Sequence, residues 1–153
     1  MLQLFKRKQP EFFSSEGKEK ILNAIKLAEQ RTSGEVRMYV ESHCRFVDPL
    51  DRAAEIFYSL KMNATELHNG VLVYVAMKDK QLAVFADEGI YTKAGKDFWK
   101  NKVALMLSHF NKENYADGVA EVVLEIGEAL SFHFPYNENA DKNELPDDIV
   151  FGK

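Results

Sequence analysis

The sequence is poor in cysteine and has no long apolar run. Cys44 is the single cysteine among 153 residues, so no internal disulfide can form and a compartment that keeps thiols reduced is expected. No window approaches the roughly 18 uninterrupted apolar residues of a membrane-spanning helix. Lys6, Arg7 and Lys8 stand where a secretion signal would have its apolar core. These absences predict a cytoplasmic protein.

An excess of basic charge is also missing. The chain has 20 Lys and Arg against 24 Asp and Glu, which gives a net charge of −4. Because no basic field surrounds such a chain, we expect no binding to nucleic acid, whereas divalent metals are weakly favoured partners. The sequence also lacks a phosphate-binding glycine loop, a nucleophile elbow, a His-Glu-x-x-His helix and paired cysteines.

Helices and strands are predicted from the spacing of the apolar residues. Helical periodicity covers residues 15–31, 48–62, 96–110 and 119–134, and strand patterns cover residues 35–41, 71–77 and 81–86. A strand-helix-strand crossover followed by a hairpin predicts a small mixed sheet with helices on both faces. The expected fold is an α/β protein, a three-layer αβα sandwich.

Composition divides the chain into three parts. Residues 1–14 form a basic N-terminal extension, residues 15–134 form the αβα domain, and residues 135–153 form a polar, acidic C-terminal tail. The candidates for pinning this tail to the domain are its apolar residues Leu145, Ile149, Val150 and Phe151. We expect the protein to be a monomer.

Carboxylates are the residues in this sequence with most potential for chemistry. Asp87 and Glu88 follow the third strand, and because that strand runs opposite to the other two, its end should lie where they begin, with Glu35 at the start of the first strand. Asp117 joins this cluster if its loop folds the same way. Oxygen-rich clusters suit Ca²⁺, which takes six to eight oxygen ligands. The alternative is ordinary loop chemistry, with "DEG" (87–89) as a solvated turn.

A second acidic cluster is expected at the opposite rim of the sheet. Its members are Glu41, His43, Asp48, Asp51 and Asp79. Here too a structural explanation competes with a functional one. Asp48 precedes Pro49 as a helix N-cap would, and Asp79 lies in the hairpin turn.

Three blocks of the sequence resemble the TPM-domain family. They are "LAEQRTSGEVRMYVE" (27–41), "ELHNGVLVYVAMKDKQLAVFADEGI" (66–90) and "NYADGVAEVVLEIGEAL" (114–130), and the resemblance extends over residues 15–134. It implies an αβα sandwich, and the final "NELPDDI" is similar to the tail of small cytoplasmic bacterial members. The sequence departs from the family at Asn114, where an acid is common.

The resemblance implies two activities, since some members are divalent-cation binders and others are acid phosphatases. We predict a non-catalytic or regulatory domain that binds Ca²⁺, with Mg²⁺ as the other option, through Asp87, Glu88 and Asp117. One alternative is a metal-free protein-interaction module whose tail contacts a membrane-associated partner. The other is a metal-dependent acid phosphatase, in which Asp87 positions a metal-bound water.

Overall fold

The structure, a computed structural model, describes residues 12–136 and 149–152. The helices are α1 (Ser15–Glu29), α2 (Pro49–Ser59), α3 (Glu88–Ala94), α4 (Lys96–Phe110) and α5 (Tyr115–His133). The strands are β1 (Glu35–Glu41), β2 (Gly70–Ala76), β3 (Gln81–Ala86) and β4 (Ile149–Phe151). Most of the basic extension (1–11) and most of the acidic tail (137–148) lie outside the described residues, and the domain boundaries stay predictions.

The four strands form one sheet in the order β3-β2-β1-β4. β1 pairs with β2 in parallel, from Glu35 opposite Gly70 to Glu41 opposite Ala76, and β2 pairs with β3 as an antiparallel hairpin. These pairings confirm the predicted crossover and hairpin. β4, which was not predicted, adds to the other side of β1 in parallel and places Ile149 opposite Met38.

One face of the sheet carries the larger core, under α1, α4 and α5. Side chains at alternate positions of β1, such as Val36, Met38 and Val40, pack there and are fully buried. α1 packs along α5, and a Cβ built at Gly127 would lie 2.6 Å from the Cβ of Ala28. Gly127 therefore permits close packing of the two helices.

The opposite face of the sheet is covered by α2. Asp48 caps this helix by accepting a hydrogen bond from the Leu50 N–H at 3.0 Å, and Pro49 occupies the first turn, as predicted. Phe57 of α2 is fully buried with Tyr74 and Leu72 of β2. Helices thus cover both faces, which confirms the three-layer sandwich. Within the described residues, no helix has the length and apolar character needed to span a bilayer.

Residues 87–89, which were predicted to form a loop, instead begin α3. Asp87 is the N-cap of this seven-residue helix, and its backbone is extended (φ −65°, ψ 159°). A Cβ at Gly89 would lie 2.2 Å from the carbonyl oxygen of Leu67 and 2.5 Å from that of His68. The first turn of α3 therefore fits against the 67–68 backbone only because residue 89 is glycine.

Candidate functional site

Asp87 is buried at the rim of the sheet where β1 and β2 begin. Its backbone N–H donates to the carbonyl oxygen of Gly70 at 2.9 Å, which agrees with the position expected from the strand directions. Its Oδ1 accepts from the Glu88 N–H at 2.8 Å, and its Oδ2 lies 3.2 Å from Nδ1 of His68. Since only 6% of Asp87 is exposed, this carboxylate is held in a fixed position.

The other two predicted metal ligands have different surroundings. Glu88 is exposed in the first turn of α3. Asp117, in the first turn of α5, forms an ion pair with Lys20 of α1, and this hydrogen bond lowers the pKa of the Asp117 carboxyl. Across residues 12–136 and 149–152, no group of three or more His, Cys, Asp or Glu side chains is arranged to hold a metal ion. The structure therefore brings Asp87 and Glu88 together without joining Asp117 to them in such a group.

Asn69 adds an oxygen to the rim that Asp87 occupies. The residue is 1% exposed, and its Nδ2 donates to Oγ of Ser33 at 3.3 Å. Its Oδ1 is buried and has no hydrogen-bond partner among the described residues. Asn69 directly precedes Gly70, the residue bonded to Asp87. This rim thus holds a fixed carboxylate, an exposed carboxylate and an unsatisfied amide oxygen, which are donor types that suit a hard cation.

At the opposite rim, Glu41 accepts hydrogen bonds from two partners. Its Oε2 accepts from Nε of Arg52 at 2.9 Å and from the Tyr74 hydroxyl, and its Oε1 accepts from Nη2 of Arg52 at 3.0 Å. Burial acts to raise the pKa of Glu41, but the hydrogen bonds from Arg52 and Tyr74 outweigh it and hold the pKa below its usual value. Burial, reinforced by the bond to Glu41, raises the pKa of Tyr74. Glu41 therefore stays ionised and joins β1, β2 and α2.

Asp79 ties the β2–β3 turn to the loop between β1 and α2. Its Oδ1 lies 2.8 Å from Nδ1 of His43, and its Oδ2 accepts from the Cys44 N–H at 2.7 Å. These bonds from His43 and Cys44 lower the pKa of Asp79. The predicted second cluster is therefore assembled in part, as a set of structural cross-links, and Asp48 is the N-cap that the alternative explanation predicted.

A cavity of about 310 Å³ opens beside these cross-links. It is lined by Glu41, His43, Arg45, Val47, Arg52 and Glu55. Both signs of charge face it, and the Arg52 guanidinium is already bonded to Glu41 and lies 3.4 Å from Oε2 of Glu55. The charged groups here largely satisfy one another, so the arrangement favours a structural role.

A second and larger cavity, of about 420 Å³, forms a mainly apolar groove along β3. We call it the β3 groove. It is lined by Asp48, Pro49, Leu50, Leu82, Ala83, Val84, Tyr91, Lys96, Trp99, Lys100 and Val103. The start of α2 forms one wall, and residues of α3 and α4 form the other. Among residues 12–136 and 149–152, β3 is the last strand of the sheet on this side, so the floor of the groove is a sheet edge.

The register shows which backbone groups of β3 face the groove. Because the Asp87 N–H donates to Gly70, the hydrogen-bonded pairs alternate from there, and Phe85 and Ala83 bond to β2. Leu82 and Val84 lie at the non-hydrogen-bonded positions, so their N–H and C=O groups point away from β2. Within the described residues these groups have no hydrogen-bond partner. Leu82 and Val84 are 8% and 5% exposed, so the β3 groove contains a largely covered strand edge whose outward groups are unpaired within the described residues.

Sequence reasoning missed the β3 groove. The hairpin was predicted, but which of its strands would lie at the sheet edge was not. The signal available was the hairpin itself, because no further strand follows β3 until the tail and β3 is therefore a candidate edge. No sequence pattern links Trp99 to a strand edge, so its position in the lining of the groove could not be predicted either. In the structure its Nε1 donates to the Tyr91 carbonyl oxygen at 3.1 Å.

Solved structures with similar folds include three from bacteria. The BA42 protein of the psychrophile Bizionia argentinensis is 37% identical to this chain, with a TM-score of 0.85 over 95% of this chain and 99% of that one. The N-terminal domain of a P. gingivalis protein is 16% identical, with a TM-score of 0.67 over 82% and 83% of the two chains. The N-terminal domain of the cg2496 protein of Corynebacterium glutamicum is 13% identical, with a TM-score of 0.57 over 95% and 92%. The last two show the fold alone.

The family of the chain follows from a match to a protein-family model. No curated protein matches the sequence. The model of the TPM domain, however, matches residues 7–129, a range that includes the rim around Asp87, the cross-links at Glu41 and the β3 groove. The chain therefore belongs to the TPM-domain family.

Proposed function

We propose that this TPM domain is a non-catalytic binding module that takes up an extended polypeptide segment along β3. The observation that carries this proposal is the position of the outward N–H and C=O groups of Leu82 and Val84 on the floor of an apolar groove of about 420 Å³. A strand edge with unpaired N–H and C=O groups is a template for pairing with another chain. Such an edge between apolar walls therefore favours strand addition.

The walls of the β3 groove indicate the kind of segment that fits. Leu50 and Tyr91, which are 49% and 39% exposed, provide apolar contacts for alternate side chains of a bound strand. Lys96 and Lys100 are exposed along the wall formed by α4, against the single acid Asp48 on the other wall. The balance of charge favours a segment that carries carboxylates. The occupant proposed is therefore an extended, partly acidic segment of another protein.

Hydrogen exchange provides the first test of this proposal. In the free protein the amides of Leu82 and Val84 are expected to exchange faster than those of Ala83 and Phe85, because only the latter bond to β2. Dodecapeptides selected from a random display library should slow exchange at Leu82 and Val84. Selected peptides that leave both amides unprotected would argue against strand addition.

Charge reversal on the α4 wall provides the matched control. Lys96→Glu with Lys100→Glu is expected to weaken binding of the selected acidic peptides about tenfold or more, since two facing charges are reversed. Lys112→Glu, an exposed position beyond the end of α4, should leave binding unchanged. Equal loss in both variants would point to nonspecific attraction instead of the β3 groove.

A second candidate function is the binding of a divalent cation, Ca²⁺ or Mg²⁺, at the rim around Asp87. What favours it is that the unsatisfied Oδ1 of Asn69 belongs to the same rim as the fixed Asp87 carboxylate and the exposed Glu88. Asp117 lies in the first turn of α5, whereas the opposite end of this helix contacts residues 32–33 beside the rim, so the site proposed here uses Asp87, Glu88 and Asn69. This proposal needs no reaction and no second substrate.

A thermal melt with and without millimolar Ca²⁺ tests cation binding. A cation present at 100 times its dissociation constant adds about 2.7 kcal/mol to the free energy of unfolding, which corresponds to a rise in Tm of roughly 8 °C in a domain of this size. Asp87→Asn should abolish the rise in Tm, whereas Asp97→Asn, in the first turn of α4, should retain it. The absence of a rise in the unmodified protein at millimolar Ca²⁺ would exclude this function.

A further inference from the structure

We propose that the tip of the loop between β1 and α2, residues 45–47, is a contact point for an anionic lipid surface, with Phe46 inserted among the lipid headgroups. This proposal is independent of the β3 groove and of cation binding. It rests on the exposure of Phe46, on its backbone conformation, on the bonds that hold the loop, and on the charges around the tip.

Phe46 is the most exposed large apolar side chain in the described part of the chain. Its relative exposure is 101%, and Val47 beside it is 41% exposed. Its φ is +71°, in the left-handed region that bulky residues rarely adopt. The fold therefore holds an aromatic ring in solvent in an unfavourable backbone conformation, with no burial of the ring to compensate. Strain of this kind concentrates at ligand-binding positions.

The loop that carries Phe46 is fixed on both sides. Before the tip, Asp79 of the β2–β3 turn accepts from the Cys44 N–H and lies 2.8 Å from His43. After the tip, Sγ of Cys44 lies 3.4 Å from the Val47 carbonyl oxygen, and Asp48 caps α2. These contacts present Phe46 in a preformed position, so insertion costs little further ordering of the loop.

The charges around the tip favour an anionic surface over a neutral one. Arg45 precedes Phe46, and the turn tied to the loop exposes Lys78 and Lys80. Of the nearby acids, Asp79 is engaged by His43 and the Cys44 N–H, and Asp48 is engaged at the N-terminus of α2, where the helix dipole offsets its charge.

Asp51 in the first turn of α2 and Glu55, which lies near Arg52, are the remaining acids on this side. Basic side chains that flank an exposed apolar residue are typical of reversible contact with anionic headgroups. Because a single ring and three cations carry the contact, we expect it to be weak and to depend on salt.

The test is sedimentation of the full chain with vesicles of phosphatidylcholine alone or mixed with phosphatidylserine. Binding is expected to the mixed vesicles, to fall as salt rises, and to be weak on phosphatidylcholine alone. Phe46→Ser should reduce binding about tenfold, the effect expected for removing one partly buried aromatic ring. Phe132→Ser is the matched control, because Phe132 is 81% exposed near the end of α5 that contacts residues 32–33, away from the tip.

Two further outcomes decide the mode of contact. In Phe46→Trp, brominated lipid should quench the fluorescence of the introduced tryptophan. In the unmodified protein, whose single tryptophan is the buried Trp99, brominated lipid should cause no quenching. If Lys78→Glu with Lys80→Glu abolishes binding while Phe46→Ser does not, the contact is purely electrostatic and insertion of Phe46 is wrong. Failure of the unmodified protein to bind mixed vesicles at low salt would overturn the proposal, and circular dichroism of Phe46→Ser confirms that its loss of binding is not unfolding.

Discussion

Replacement of Gly89 by alanine is expected to lower the free energy of unfolding by about 3 kcal/mol, the upper part of the range for overpacking. The added Cβ would lie 2.2 Å from the Leu67 carbonyl oxygen and 2.5 Å from that of His68. Both are backbone atoms, so relief requires movement of the chain before β2 or of α3 itself. α3 carries the fully buried Ile90, and its displacement would therefore also disturb the core.

The sign of this effect is opposite to the general rule for helices. In an unhindered helix interior, alanine is more favourable than glycine by about 1 kcal/mol. Urea unfolding of Gly89→Ala against the unmodified protein measures the difference. Thr92→Ala is the matched control, because Thr92 is exposed in the same helix and, among the described residues, its Oγ1 bonds only to the Glu88 carbonyl oxygen. A Gly89→Ala protein as stable as the Thr92→Ala protein would contradict the packing argument.

The predictable parts of the fold were those whose pattern is local and long. Strand alternation gave β1 its observed bounds, and helical spacing gave α4 its observed bounds. The strand predicted at residues 71–77 is observed as β2, and every residue of β2 is buried, as expected in a sheet with helices on both faces. These elements were predictable because period and burial are both encoded in neighbouring residues.

α3 and β4 were not predictable in the same way. α3 has seven residues, too few for a helical period, and its Asp-Glu-Gly start is also good turn chemistry. β4 is a three-residue strand whose pairing partner, β1, lies more than 100 positions earlier in the sequence. Its pairing is determined by tertiary contact, which a local pattern does not contain.

The candidate sites were also predictable only in part: a position set by strand topology could be predicted, but a contact between distant residues could not. The strand directions placed Asp87 correctly beside Gly70, because that position depends only on topology. The partner of Asp117 is Lys20, 97 residues away on another helix, and no spacing rule connects the two. The edge position of β3 depends likewise on where β4 is added, so the β3 groove could not be inferred before the strand order was known.

Replacement of Glu41 by glutamine is expected to cost about 2 kcal/mol at pH 7. The value lies between the 0–1 kcal/mol of an exposed ion pair and the 3–5 kcal/mol of a broken buried one, because the Glu41 side chain is 9% exposed and that of Arg52 is 32% exposed. The variant keeps the size of the side chain but loses the charge that accepts from Arg52 and Tyr74. Glu55→Gln is the matched control and should change stability by less than about 0.5 kcal/mol, since Glu55 is 55% exposed and lies 3.4 Å from the same arginine.

The cost of Glu41→Gln should also depend on pH, with a defined sign. The folded-state pKa of Glu41 is lowered, so its contribution is fully present above the unfolded pKa of about 4.3 and is lost as pH falls through the folded value. Urea unfolding at pH 7 and at pH 3 should therefore show a smaller difference between the unmodified and Glu41→Gln proteins at the lower pH. An equal or larger difference at pH 3 would mean that the charge of Glu41 is not what joins β1, β2 and α2.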